Sequence, residues 1–403
     1  MSTKKTIWSF PWGYGESFAI AIGLFLAGTG IQFISGIVIP LPSWPRNVIL
    51  LLSFVIVLFF IQRFASKNPI IHWLSSVPAA ISAIALFTML SLLMGFIHQD
   101  VHAPADALFA NIKFSWMYLF AQVYILTTLG LTTIRRFSLR RRNIGFLLNH
   151  LGIWLVLAAA SFGAGDIERY TLQVQKGNIQ WIGEDEFGNT HELPVAIALH
   201  DFTIDFYPPQ AGIWDNEQNI LLKKPSFSLD SKDSVYEWKE FSFHISQVSS
   251  SAYKMGETYR EVAAPGAVQA AFVEVSAENK SSNKGWISTA SPLQEPSLLK
   301  LSESYELVMK PPKPRLFKSD ITVYTEQGSE VSTSVVVNQP ITVDGWKIYQ
   351  YGYDETMGKY SDISIFELVR DPWLPAIYSG LVLLIGGAVC MFINGVGTRK
   401  KQS

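Results

Sequence analysis

Apolar residues gather in five runs before residue 166, at about 16–40, 47–63, 78–97, 115–134 and 145–164, and in a sixth at about 372–394. Each run is long enough to cross a bilayer, since about 20 helical residues at ~1.5 Å rise span ~30 Å of hydrocarbon. Between the fifth and sixth runs the pattern changes. Apolar and polar positions alternate through 170–175, 195–206, 241–248, 270–275, 321–325, 333–337 and 346–353, the two-residue period of half-buried strands. Glu186-Phe187-Gly188-Asn189 supplies turn chemistry, and the polar stretch 279–284 reads as an exposed loop. The pattern predicts a membrane protein with a six-helix transmembrane bundle, five spans N-terminal and one C-terminal, and a large, mostly β extracytoplasmic domain of sandwich or barrel-like form. Its expected parts are 1–165, 166–370, and 371–403 with the last span and a short basic tail.

The net charge of −1 says little as a sum, because the basic residues are unevenly placed. With the N-terminus in the cytoplasm, the inside segments carry Lys4, Lys5, Arg63, Lys67, Arg135, Arg136, Arg140, Arg141, Arg142, Arg399, Lys400 and Lys401. The short outside loops carry only Arg46 and Lys113. That asymmetry predicts both termini in the cytoplasm and 166–370 on the far side of the bilayer. The first apolar run is too long for a cleavable signal, and no small-residue cleavage site follows it.

Composition narrows the chemistry. With 49% hydrophobic and 16% charged residues, the chain is apolar for its size without being all membrane. The single cysteine, Cys390, falls in the last span, so no internal disulfide forms and thiol chemistry must come from a partner. There is no nucleotide-binding glycine loop, CxxC, HExxH or GxSxG, and no nucleic-acid partner is expected.

Seven histidines remain as candidates, and His150 is the most telling. It falls near the start of the fifth span, on the cytoplasmic side, where an ionisable group is costly and usually has a purpose. A neutral imidazole is a good axial ligand for haem iron, and the nearby Gly152 would admit a flat macrocycle or a neighbouring helix. An interfacial histidine facing headgroups explains the position equally well. Trp154, four residues on, shares its helical face and is a candidate pocket residue, with packing as the plainer reading. His98 and His102 would share a face of a continuous helix and jointly bind a metal, but Gln99, Asp100 and Pro104 favour a helix end and solvated loop histidines. His191, His200 and His244 lack ligand-like spacing. Trp8, Trp12, Trp44, Trp73 and Trp116 fall at span ends, as interfacial anchors do.

The end of the polar region reads Val337-Asn338-Gln339-Pro340, then Gly345-Trp346-Lys347-Ile348-Tyr349-Gln350-Tyr351-Gly352-Tyr353, then Asp371-Pro372 and Tyr378-Ser379-Gly380. These stretches resemble the ResB family of cytochrome c biogenesis proteins. Asn149-His150-Leu151-Gly152 with Gly163-Ala164, and Ala198–Pro208 with its Asp201-Phe202 and Tyr207-Pro208, are similar to earlier parts of that family. The resemblance implies a subunit of system II cytochrome c maturation in a bacterial inner membrane, with 166–370 periplasmic. Such a subunit pairs with a CcsA-type membrane protein, and the pair carries haem b across the bilayer to an exported apocytochrome c kept reduced by thiol-reducing partners. Carried over by residue, His150 is the expected axial ligand, with the opposite ligand from the partner. The chain lacks the tryptophan-rich haem-handling segment of the CcsA-type protein, which implies a non-catalytic or shared-site subunit. It also has five spans before the domain where many relatives have three. Topology alone fits a rival equally well, a membrane-anchored extracytoplasmic sensor or assembly scaffold without cofactor.

Overall fold

The structure is a computed structural model, and it describes residues 8–100, 103–104, 107–229, 234–277 and 280–399. The chain divides into two compact units: Met1–Glu168 with Arg370–Ser403, and Arg169–Val369.

The first unit is helical: α1 (Tyr14–Ser35), α2 (Arg46–Phe64), α3 (Pro69–Leu74), α4 (Val77–Phe96), α5 (Trp116–Arg135), α6 (Arg141–Phe162) and α7 (Leu374–Arg399). Among the described residues, six of these are long and apolar enough to cross a membrane, and only the short α3 is not. Burial identifies the centre of the bundle. Some 56% of the apolar window of α5 is buried, against 11% for α2 and for α7. Ala79, Ala83, Leu86 and Leu90 of α4 pack on Met117, Tyr118, Ala121, Tyr124 and Ile125 of α5, with Ala21 and Ala158 completing the core. Small residues let the helices approach, which matters where lipid removes any hydrophobic drive for helices to associate. Ser82 Oγ and Tyr124 Oη, buried between α4 and α5, lie 2.8 Å apart and pair with each other, as a medium without water favours.

One feature departs from the sequence reading. Asn68 caps α3 by accepting from the Ile70 amide, with Pro69 at its first turn, and this short helix turns Trp73 inward. Trp73 is 6% exposed, donates from Nε1 to Ser17 Oγ at 2.9 Å, and meets Trp12 edge-on at 5.1 Å. It is a core residue, not an interfacial anchor. α7 lies along α6 through glycine contacts. A Cβ on Gly152 would come 2.7 Å from the Gly380 carbonyl oxygen, and one on Gly387 would come 2.7 Å from the Asn149 nitrogen.

The second unit is built from strands. β1 (Glu168–Gln175), β2 (Ile179–Glu184) and β3 (Thr190–Phe206) open it. β4 (Gln210–Asp215), β5 (Ile220–Ser228), β6 (Val235–Trp238), β7 (Phe241–Met255) and β8 (Thr258–Glu261) follow. Next come β9 (Val268–Ala277), β10 (Lys280–Ser288), β11 (Leu299–Lys300) and β12 (Tyr305–Met309). β13 (Pro314–Thr325), β14 (Glu330–Val336), β15 (Ile341–Val343), β16 (Trp346–Tyr353) and β17 (Ile363–Arg370) close it. The first three and last five form one eight-stranded sheet, in the order β14-β13-β3-β2-β1-β17-β16-β15. It wraps around a single core that includes Leu172, Ile197, Leu199, Val323, Val335, Trp346 and Phe366, a nearly closed barrel.

The strands between β3 and β13 make two smaller sheets, β11-β12-β4-β5 and β10-β9-β7-β6 with β8 beside β7. Ile213, Phe227 and Leu307 from one meet Phe243, Ile245 and Val273 from the other across a second core. Barrel-like sheet and sandwich are therefore both present. Part of the stretch expected to be a loop, 280–284, belongs instead to β10, where Trp286 pairs with Phe272 and Ile287 with Ala271. Apolar positions further along that strand override its polar start.

Candidate functional site

One end of the helical unit carries the arginines. The chain leaves α5 at Arg135 and turns into α6, and Asn143 pins the turn: its Nδ2 donates to the carbonyls of Arg136 (2.9 Å) and Ser138 (3.1 Å). The two neighbouring arginines then point to different partners. Arg135 donates from Nη1 to Ser75 Oγ at 2.9 Å, and its Nη2 lies 2.8 Å from His72 Nε2. Arg136 lies over the ring of Phe146, 5.5 Å from its centre. Phe146 in turn lies against the imidazole of His150, with ring centres 3.8 Å apart.

The orientation of that imidazole is set by the helix itself. His150 Nδ1 is 3.0 Å from the carbonyl oxygen of Phe146. A carbonyl only accepts, so Nδ1 carries the hydrogen and Nε2 presents its lone pair. The same division is found in metal-binding histidines, whose second nitrogen donates to a carbonyl or carboxylate. The residue is half-buried and sits nine positions beyond the first residue of α6, about 13 Å along the axis at ~1.5 Å per residue. α6 begins at Arg141, four residues before the apolar run, which places His150 in its third helical turn.

The other sequence candidates are placed as follows. Gly152 faces α7, so the close approach it permits is to a helix. Trp154 donates from Nε1 to the Leu126 carbonyl at 3.1 Å, and a Cβ on Gly130 would lie 3.0 Å from that nitrogen. Its indole belongs to the packing of α6 on α5. α4 ends at Phe96, so His98 lies beyond the helix, and His102 lies outside the described residues. No cluster of three or more His, Cys, Asp or Glu side chains able to hold a metal occurs among the described residues. His200 Nε2 is 2.7 Å from Thr322 Oγ1, and His191 Nε2 is 2.9 Å from Asp185 Oδ2. That contact helps set an acid group. Partial desolvation pushes the Asp185 carboxyl up, but the hydrogen bonds from His191 and Asn189 outweigh it and draw the group down to about 2.

A second polar centre, at the other end of α6, escaped the sequence reading. One oxygen of Asp166 accepts from the Trp44 amide at 2.6 Å. The other accepts from Asn47 Nδ2 at 2.6 Å and from Trp373 Nε1 at 2.7 Å. Asn47, fully buried, also donates to the Phe162 carbonyl at 2.9 Å. One carboxylate thus ties the starts of α2 and α7 to the end of α6, beside a cleft of about 550 Å³ lined by Trp44, Glu168, Arg370 and Trp373. The sequence signal was a lone acid closing the fifth apolar run, but its partners are 119 to 207 residues away.

Fold and site together define a multi-pass membrane protein with a β-rich unit between its fifth and sixth spans and one histidine, lone pair exposed, within a span. The ResB-like family model matches residues 303–363, and that stretch is similar to the ResB-like family. No curated protein shows a significant match to the chain. The matched residues run from β12 to the start of β17. Their motif positions are structural. Asn338 holds φ at 63°, and Asp344-Gly345 form the left-handed two-residue turn between β15 and β16, with φ of 48° and 80°. Trp346 fills the barrel core. Gln350, 4% exposed, accepts from Ser319 Oγ at 2.6 Å and donates to Ser364 Oγ at 2.7 Å.

Proposed function

We propose that this protein is a haem-handling subunit of a system II cytochrome c synthase in a bacterial inner membrane. On this reading both termini are cytoplasmic and 166–370 are periplasmic, as the distribution of basic residues favours. His150 offers Nε2 as one axial ligand to haem b in transit, and a CcsA-type partner supplies the other. The ResB-like match supports a role in cytochrome c biogenesis. The single observation that carries the site is the His150 Nδ1–Phe146 carbonyl bond, which leaves Nε2 free to ligate iron.

The remaining roles follow from what the chain lacks. Haem iron and the client's thiols must both be reduced for thioether formation, and a β-rich unit without cysteine does not reduce them itself. That task falls to thiol-reducing partners. The β-rich unit holds apocytochrome c by adding the client's strand to an open sheet edge, for which β14 and β15 end the large sheet. The chain is then a non-catalytic or shared-site subunit. The test is the visible spectrum of the complex purified with its CcsA-type partner. Wild type should carry haem absorbance that His150→Ala largely removes. A colourless wild-type complex, or an unchanged spectrum in the variant, overturns the reading and leaves a cofactor-free sensor or scaffold.

A further inference from the structure

Arg135 and Arg136 are adjacent, yet only the first is engaged by polar partners. Arg135 reaches Ser75 and His72. Among the described residues none of the ion pairs includes Arg136. The chain offers no local acid either, since no Asp or Glu occurs between residues 107 and 165 or within α7. The stacking of Arg136 on Phe146 uses the flat face of the cation and leaves the N–H edges available for a planar acceptor.

Resting on the reading of His150 as an axial ligand, we infer that Arg136 binds a propionate carboxylate of the haem held by that histidine. Three observations converge. Phe146 is in contact with both Arg136 and His150, so the cation and the imidazole flank one ring. Phe146 lies one helical turn, ~5.4 Å, nearer the arginine end of α6 than His150, so a propionate turned toward that end from a macrocycle ligated at Nε2 would meet Arg136. Asn143 fixes the backbone at Arg136 and Ser138, so the arginine is presented by a held turn. Arg–carboxylate pairs are bidentate and charge-assisted, and they gain strength where water is scarce.

The test compares haem with its dimethyl ester, which has no free carboxylate, titrated by absorbance into the haem-stripped two-subunit complex. Arg136→Ala should weaken haem about tenfold or more, the loss of a charge-assisted hydrogen bond, and leave the ester unchanged. Arg136→Lys should recover part of the loss by charge alone. If Arg136→Ala leaves haem affinity intact while His150→Ala abolishes it, the carboxylate assignment fails and the haem reading stands. If Arg136→Ala weakens haem and ester equally, Arg136 serves helix packing and the inference is overturned. If His150→Ala changes neither titration, the haem reading itself fails.

Discussion

Replacing Asp166 by Ala removes the acceptor shared by the Trp44 amide, the Asn47 side chain and the Trp373 indole. Hydrogen bonds to a charged group contribute about 1.5–3 kcal/mol each. Not all of this is lost, because Asn47 keeps its bond to the Phe162 carbonyl and Trp44 is exposed enough to meet water. A net cost of about 3 kcal/mol follows. At ~2–4 °C per kcal/mol for a unit of this size, the helical unit should unfold about 6–12 °C earlier. Cys390, the only cysteine and half-buried in α7, is a built-in reporter: a thiol-reactive fluorogenic dye added during heating of the detergent-solubilised protein reads release of α7. Asp166→Asn separates charge from shape. One oxygen serves Trp44 and the other serves both Asn47 and Trp373, so either orientation of the amide turns an NH₂ toward a donor. The Asn variant should therefore lose nearly as much as Ala. A melting point within about 2 °C of wild type for either variant would refute the argument.

Other outcomes are equally specific. Gly152→Val drives side-chain atoms into the Gly380 carbonyl and Leu384 backbone, an overpacking cost of about 1–3 kcal/mol or more, and the same dye assay should show early exposure of Cys390. Gln350→Leu leaves the hydroxyls of Ser319 and Ser364, both fully buried, with only each other as side-chain partner; limited proteolysis of the full chain in urea should show the barrel opening at lower denaturant, a loss of about 1 kcal/mol, and wild-type resistance would count against the network. Asp185 sits at about 2 against an ordinary 3.8, so its contribution is present above pH ~4 and lost as pH falls toward ~2. Asp185→Asn should accordingly flatten the pH dependence of stability in that window, while an unchanged slope would exclude Asp185 as its source. Finally, Glu186→Cys in a Cys390→Ser background should react with an impermeant maleimide added outside intact spheroplasts; labelling only after lysis would reverse the proposed orientation.

The spans were legible because a membrane helix is a one-dimensional signal, some twenty apolar residues in a row. Their ends were not. α6 starts at Arg141, ahead of the apolar run, because the backbone stays helical through residues that are not apolar. Trp73 was misread because nothing in its neighbourhood announces that α3 turns it onto Ser17 and Trp12. Alternation located β3, β7, β9 and β16, in each of which buried positions recur every second residue over part of the strand, but β10 opens with Lys-Ser-Ser-Asn-Lys and is held by its pairing with β9. Asp166 and its donors illustrate the remaining gap: a hub assembled from three distant segments has no local pattern. The motif residues Asn338, Gly345 and Gln350 were visible for a different reason. They set turns and fill a core, so their likeness to the ResB-like family reports the fold more directly than the chemistry.

The most direct test of the central claim is to rebuild the ligand from solution. In the two-subunit complex carrying His150→Gly, haem absorbance should be low and should return, with a low-spin spectrum, when free imidazole is added to fill the vacated position. A glycine variant that keeps a wild-type spectrum without imidazole would contradict the assignment of His150 as the iron's ligand.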